Sequence, residues 1–159
     1  MNQRFSYDIQ KMIPHLRNTK VLCNMGCEEG GHLKVLNQIL NLNKIYITDV
    51  DPMKVFKVLM DTPLNFEGYH YDFNVETPPE VWHSDTILCL NIFNTLVKAR
   101  TKQLLDQLLN KTVIIKESVE DSWILNELQS RFEVVKYEAL YPKIIEVEGL
   151  KTYLFVARN

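Results

Sequence analysis

The sequence predicts an α/β fold, a doubly wound, mostly parallel Rossmann-like sheet with helices on both faces. Five parallel strands should be followed by a C-terminal antiparallel hairpin. Three observations predict this. Short apolar runs rich in β-branched and aromatic residues recur at 20–25, 44–49, 68–73, 85–91 and 112–117. Their lack of polar alternation is the pattern of strands buried on both faces of a parallel sheet. Amphipathic segments separate most of them, and such alternation implies right-handed crossovers with helices on both faces. The end of the chain breaks the pattern. The runs 132–140 and 152–157 are both strand-like, and the segment between them, with Pro142 and Gly149, leaves no room for a helix. Strands joined without a crossover helix must pair antiparallel or leave the sheet.

The helices follow from the spacing of apolar residues. Over 31–42, Leu33, Leu36, Ile39 and Leu40 share one face. Over 52–60, Pro52 takes the first helical position behind Asp51, a side chain suited to capping. Over 98–110, Leu104, Leu105, Leu108 and Leu109 come together, and over 121–131 Trp123, Ile124 and Leu128 do the same. A further helix is expected over 7–16, weakened near its end by Pro14, within an N-terminal helical lead-in of residues 1–19. No repeat or Pro/Gly/Ser linker divides the 159 residues, so they read as one domain, 1–159. A domain of that size buries roughly two-thirds of the surface of its unfolded chain.

Composition excludes several classes. A formal net charge of -2 argues against a general polyanion binder, and no strong nucleic-acid signature is present. The most basic stretch is 1–20, where Arg4, Lys11, Arg17 and Lys20 face only Asp8. Cys23, Cys27 and Cys89 are an odd count in apolar or glycine-containing runs, which suits reduced buried thiols rather than a disulfide framework. Cys23 and Cys27 lie near His32, but no second ligand cluster completes a tetrahedral set, so no metal is expected. The N-terminus lacks an apolar signal core, and no run of about 18 apolar residues could span a bilayer. The expectation is a cytoplasmic protein without a membrane partner.

The stretch Lys20-Val-Leu-Cys-Asn-Met-Gly-Cys-Glu-Glu-Gly-Gly-His32 carries the chemistry. A strand runs into a glycine turn and a helix follows. Gly26 and Gly30 would let the backbone turn tightly and approach a ligand, while the helix start presents free amides and a positive dipole end. In an open parallel sheet this turn lies near the topological switch point, where ligands lodge. Asp49 ends the second strand 19 residues beyond Gly30. An acid at that distance is placed to accept hydrogen bonds from the hydroxyls of a ribose. Asp51 would then cap the next helix. Asp72, ending the third strand, could accept from the exocyclic amine of adenine, with Phe73 as an apolar wall, and Asn91 ends the fourth.

These motifs resemble those of class I S-adenosylmethionine-dependent methyltransferases, from about residue 20 to the C-terminus. The family's glycine-rich first motif resembles Asn24-Met-Gly-Cys-Glu-Glu-Gly30, here in a degenerate form. Its ribose-binding acid falls on Asp49, with Val50 beside the adenine; its adenine-contacting acid falls on Asp72. Its motif after the fourth strand falls on Leu90-Asn91-Ile92-Phe93. The family's sheet also ends in a reversed hairpin, unlike NAD-binding Rossmann domains. The resemblance implies S-adenosylmethionine as cofactor and methyl transfer to an unidentified acceptor, whether small molecule, protein or nucleic acid.

Two positions depart from the family. Asn24 stands where an acid is usual, and Glu28 where glycine is usual. Asn24 can accept through its amide oxygen but brings no charge. Glu28 either replaces that charge at the ligand ammonium, obstructs the site, or points to solvent. Compensation is favoured, because a carboxylate buried without a partner is costly. Methyl transfer is an in-line displacement in which alignment supplies much of the rate, and no catalytic residue is assigned. His32, His70 and His83 read as surface or packing residues. Lys116 and Glu117 read either as lining an acceptor pocket or as a solvated edge pair. The acceptor would enter between the N-terminal helix and the loop 141–149. The competing readings are a non-catalytic cofactor-binding or protein-interaction module of the same fold and, third, an NAD-dependent oxidoreductase.

Overall fold

The computed structural model describes residues 3–28, 30–119, 123–138 and 151–159. In chain order the elements are α1 (Gln3–Leu16), β1 (Val21–Met25), α2 (Gly31–Leu40), β2 (Lys44–Asp49), α3 (Pro52–Leu59) and β3 (Phe66–His70). A short 3-10 turn, Pro79–His83, leads to β4 (Thr86–Leu90), α4 (Lys98–Gln107), β5 (Thr112–Val119), α5 (Trp123–Gln129), β6 (Glu133–Glu138) and β7 (Lys151–Arg158). The seven strands form one sheet in the order β3-β2-β1-β4-β5-β7-β6. The first five are mutually parallel, and β7 runs antiparallel to both its neighbours. The antiparallel ending is therefore as expected, with one refinement. The last strand lies between β5 and β6, so β6 keeps the direction of the parallel strands.

The boundaries differ from the sequence expectation for local reasons. The second helix stops at Leu40 because Asn41 turns left-handed, at φ 51°, and its amide caps onto Asn37. The third strand lies upstream of the expected 68–73. Tyr71 still donates to the Asp49 carbonyl, but Val75 and Glu76 then fold back onto the Asp72 carbonyl and end the extended run. The helix over 98–110 closes early, where the Leu108 amide is shared between the Leu104 and Leu105 carbonyls. Residues 121–122, 139–140 and the loop 141–149 lie outside the described residues.

Period-two alternation sends successive strand residues to opposite faces. Cys23, Ile87, Val113 and Ile115 pack with Leu104, Leu105 and Leu108 of α4 and with Ile124 and Leu128 of α5. Leu22, Ile45, Ile47, Leu88 and Ile114 pack against α1, α2 and α3 through Met12, Leu16, Leu33, Leu36 and Val58. All three cysteines are free and buried, as expected, and burial pushes the Cys23 and Cys89 thiols well above their ordinary value. No described helix is long and apolar enough to cross a membrane.

One polar cluster interrupts the second core. Asp8 of α1 lies 2.8 Å from the Lys116 ammonium of β5 and 3.5 Å from His32 Nε2 of α2, with all three side chains buried. Burial alone would raise the Asp8 pKa. Hydrogen bonds and charge from His32 and Lys116 outweigh it and hold the carboxyl below the ordinary range. Lys116 is thus no solvated edge group but the anchor that fixes α1 to the sheet. Because the folded-state pKa of Asp8 is depressed, its stabilisation is complete above the ordinary carboxyl range and is lost as pH falls through the depressed value. Removing one partner strands a buried charge, so Asp8→Ala should destabilise the fold by about 3–5 kcal/mol in urea unfolding. The double variant Asp8→Leu/Lys116→Met should recover most of that loss.

Candidate functional site

The chain leaves β1 for β2 and β3 on one side and returns to place β4 on the other, so the topology reverses between β1 and β4. Their carboxyl ends flank the crevice in which open α/β sheets hold ligands. The turn after β1 has left-handed backbone at Gly26 (φ 83°), Glu28 (φ 46°) and Gly30 (φ 75°). Gly26 donates to the Thr48 carbonyl at 2.9 Å. A Cβ there would meet the Leu90 carbonyl oxygen at 2.5 Å and the Ile92 side chain at 2.7 Å. At Gly30 a Cβ would stand 2.6 Å from a Val58 methyl. Both glycines therefore allow close approach, but the surfaces that approach are β4 and α3 of the protein itself.

Asp49 holds this turn from β2. One carboxylate oxygen accepts from the Cys27 amide at 3.0 Å and the other from the Asp51 amide at 2.9 Å. Burial of the Cys27 thiol, and after it the charge and hydrogen bond of Asp49, push its pKa up to about 12. Asp51 caps α3 by accepting from Met53, as the sequence predicts. Asn24 is fully buried in β1, and its amide donates to the Gly26 and Leu88 carbonyls. Its oxygen has no hydrogen-bond partner among the described residues.

Glu28 does not point freely into solvent. Its carboxylate accepts from the Asn91 side-chain amide at 2.6 Å, which bridges the ends of β1 and β4. Asn91 is itself left-handed, at φ 54°. Beneath the bridge lies Glu117, fully buried in β5, whose carboxylate accepts from the Phe93 and Asn94 amides at 3.1 and 3.3 Å. Lys116 and Glu117 are thus adjacent in sequence but belong to opposite faces of the sheet, with Lys116 paired to Asp8 and Glu117 bound to the loop after β4. Burial pushes the Glu117 pKa up to about 7, with the Glu28 charge adding to it and the two amides opposing.

The remaining expected residues sit further from this centre. Val50 follows Asp49 and is exposed. Asp72 lies in the loop beyond β3, exposed, and accepts from the Asn74 amide at 2.9 Å. Asn74 in turn bonds the Thr95 carbonyl and the Val97 amide, which ties this loop to the one after β4. Phe73 is a core residue at 5% exposure, its carbonyl held by Arg100 of α4. The structure therefore brings together Asn24, Gly26, Glu28, Asp49 and Asn91, and adds Glu117. It leaves Val50 and Asp72 at the periphery and turns Phe73 inward. Among the described residues no three His, Cys, Asp or Glu side chains converge to hold a metal ion.

No protein-family model and no curated sequence matches the chain. Solved structures match it along nearly all its length. N-methyltransferase NodS from Bradyrhizobium japonicum WM9 is similar at a TM-score of 0.79 and 12% identity, over 99% of this chain and 94% of that one. The methyltransferase domain of bacterial CtHen1-CN is similar at 0.72 and 14% identity, over 96% and 98%. Magnesium protoporphyrin IX methyltransferase (ChlM) from Synechocystis PCC 6803, solved with bound S-adenosylmethionine, is similar at 0.70 and 14% identity, over 99% and 79%. The fold is that of the S-adenosylmethionine-dependent methyltransferases. At such identities the likeness fixes the architecture, and the chemistry rests on the residues above.

The raised Glu117 pKa has a consequence for stability. Its folded-state value of about 7 lies above the ordinary 4.5, so the folded protein binds the extra proton between those limits. Stability should therefore be complete below pH 4.5 and fall as pH rises to about 7, by at most on the order of 3 kcal/mol. Glu117→Gln should flatten this slope in urea unfolding followed across the same window. An unchanged slope would place the titrating group elsewhere.

Proposed function

We propose that the chain binds S-adenosylmethionine between the carboxyl ends of β1 and β4 and transfers its methyl group to an acceptor held above the same edge. The observation that carries this reading is the turn Gly26–Gly30, fixed to Asp49 and facing Asn91 at the switch point of this fold. The residues present fit a cationic ligand. Two carboxylates, Glu28 and Glu117, lie at the crevice, and the buried Asn24 oxygen lacks a donor among the described residues. Bound there, S-adenosylmethionine supplies a methyl group on a positively charged sulfonium.

The protein's part is binding and alignment. A carboxylate offers about four lone-pair directions, and Asp49 spends two on its own backbone, which leaves acceptors for ribose hydroxyls. Glu28, released from Asn91, supplies the charge that Asn24 lacks and faces the ammonium. Val50 offers apolar surface to the adenine, and Asp72 accepts from its amine through the oxygen that Asn74 does not use. Phe73 supports that loop from below. Glu117 positions the loop 91–94 that borders the acceptor. Alignment of an in-line displacement supplies a large share of the rate without a protein nucleophile.

A second reading keeps the fold without catalysis, as a cofactor-binding or protein-interaction module. It is favoured by one observation, the Glu28–Asn91 hydrogen bond across the crevice. Calorimetric titration separates the readings. Heat with S-adenosylmethionine and its demethylated product, and none with NAD, supports the proposed cofactor. Methyl transfer then requires turnover of S-adenosylmethionine to the demethylated product, which a non-catalytic module would not give. Silence with all three supports a protein-interaction module, and heat with NAD alone supports an oxidoreductase.

Asp49→Ala should weaken cofactor affinity by roughly 1.5–3 kcal/mol, as for lost hydrogen bonds to a charged group. It should also lower the unfolding midpoint, because the Cys27 and Asp51 amides lose their acceptor. The same affinity in wild type and variant would move the ribose elsewhere.

Glu28 gives a test with opposite signs. Compensation predicts weaker binding for Glu28→Gln, which preserves shape and removes charge. Tighter binding for Glu28→Gly would instead make the side chain an obstruction, because glycine removes it and relaxes the left-handed backbone. Equal affinities for wild type and both variants would remove Glu28 from the site.

A further inference from the structure

One flank of the sheet is left apolar and unpaired. The strand β3 is its edge, bonded only to β2 among the described residues. In the parallel ladder Ile45 donates to Asn65 and Tyr71 donates to Asp49. Alternation along such a ladder turns the backbone groups of Gly68 and His70 outward. Beside this edge, α3 carries a second apolar stripe on its outer side. Met53 and Phe56 of the helix are each 59% exposed, Met60 at its C-cap is 68% exposed, and Leu64 in the loop before β3 is 100% exposed. Between helix and strand lies a groove of about 380 Å³ lined by Phe56, Leu59, Gly68, Tyr69 and Tyr71.

The charges are arranged around this flank rather than on it. At about 3.6 residues per turn, Leu59, Phe56, Met60 and Met53 follow one another around the side of α3 next to the groove. Lys54 and Lys57 fall beyond them, on the flank away from the groove. Natural edge strands are usually guarded by charged side chains or proline. The only charged residue in β3 is Glu67, which is drawn aside by Lys44 of β2 at 2.6 Å and by the Tyr69 hydroxyl.

We propose that this flank is the interface of a symmetric dimer, in which β3 pairs antiparallel with the β3 of a second copy about Gly68. A closed two-fold contact requires a self-complementary surface, and this register provides one. Gly68 faces the partner's Gly68, and their outward amides and carbonyls bond reciprocally. The outward His70 amide meets the outward Phe66 carbonyl. Glu67 comes to lie opposite the partner's Tyr69, so no like charges oppose each other. The two copies of α3 then lie on one face of a continuous sheet, with Phe56, Met60 and Met53 meeting across the axis and the lysines outside. The inference does not depend on the proposed activity.

Sedimentation of the full chain from micromolar to several hundred micromolar tests it. Wild type should pass from monomer to dimer within that range. Phe56→Glu and, independently, Met60→Glu should weaken the dimer by about tenfold or more, because each buries a charge in an apolar contact. Both side chains are exposed in the protomer, so the circular dichroism spectrum should not change. The register is tested at one position. Tyr69→Glu should weaken the dimer several-fold by facing Glu67, whereas Tyr69→Lys should hold or tighten it. A wild type that stays monomeric throughout overturns the proposal and leaves the flank to a different partner. So does a dimer that tolerates both glutamates, or one that the two Tyr69 variants shift in the same direction.

Discussion

The carboxylate of Asp49 holds the candidate site together. By accepting from the Cys27 and Asp51 amides it joins the turn after β1 to the start of α3. Backbone donors in such turns otherwise need water or a ligand, and a buried amide without an acceptor is costly. Here Asp49 satisfies both from within the protein. Gly26 can then rest against the Leu90 carbonyl, and Gly30 can bring α2 onto Val58. The crevice between β1 and β4 is bounded by these contacts, so its geometry depends on one acidic side chain at the end of β2.

Around that point the protein separates its charges by sheet face. Lys116 and Glu117 are neighbours in β5, yet alternation directs them to opposite layers. Lys116 is neutralised by Asp8 at 2.8 Å and binds α1 to the sheet, so a cation in the core acts as structure. Among the described residues Glu117 has only backbone amides as partners, and burial holds its pKa near 7. Its charge is therefore poorly compensated on the side of the crevice, close to Glu28. A positive group entering the crevice would stabilise both carboxylates, whereas an anion would meet them unfavourably. The local field agrees with a cationic ligand even though Asn24 itself carries no charge.

The sequence was most informative where periodicity and turn chemistry act locally. The run 44–49 is the strand observed, and Asp51 before Pro52 reads directly as a cap. The missing last helix implied the antiparallel ending. It could not reveal that β7 inserts beside β5, because insertion depends on long-range pairing. The third strand was misplaced because Tyr71-Asp72-Phe73 continues the apolar pattern, while the Asp72 carbonyl and carboxylate turn the chain. The inward turn of Phe73 follows from that shift. Lys116 and Glu117 were ambiguous for another reason. A charged pair in sequence says nothing about burial, and Asp8, which decides the role of Lys116, lies on a helix far away in the chain. Alternation along the strand was the available signal, since it already sends the two residues to different faces.

Glu28 and Asn91 bring these threads to one place. Both occupy left-handed backbone, which disfavours a side chain such as that of Glu28 by roughly 1–2 kcal/mol and is better tolerated by Asn91. Glycine would relieve that strain at either position, and the resemblance places glycine where Glu28 stands. The hydrogen bond between their side chains offsets part of that strain, since it joins the two strand ends across the crevice at 2.6 Å. A ligand that takes the Glu28 carboxylate must break this bond, and it must return at least as much in charge pairing. An ammonium does so, because it brings a positive charge to the carboxylate, whereas the Asn91 amide is a neutral donor to the same group. A neutral ligand offers no such exchange and would leave the bridge in place. On the proposed reading the bridge would therefore discriminate between ligands by charge, from its position at the switch point.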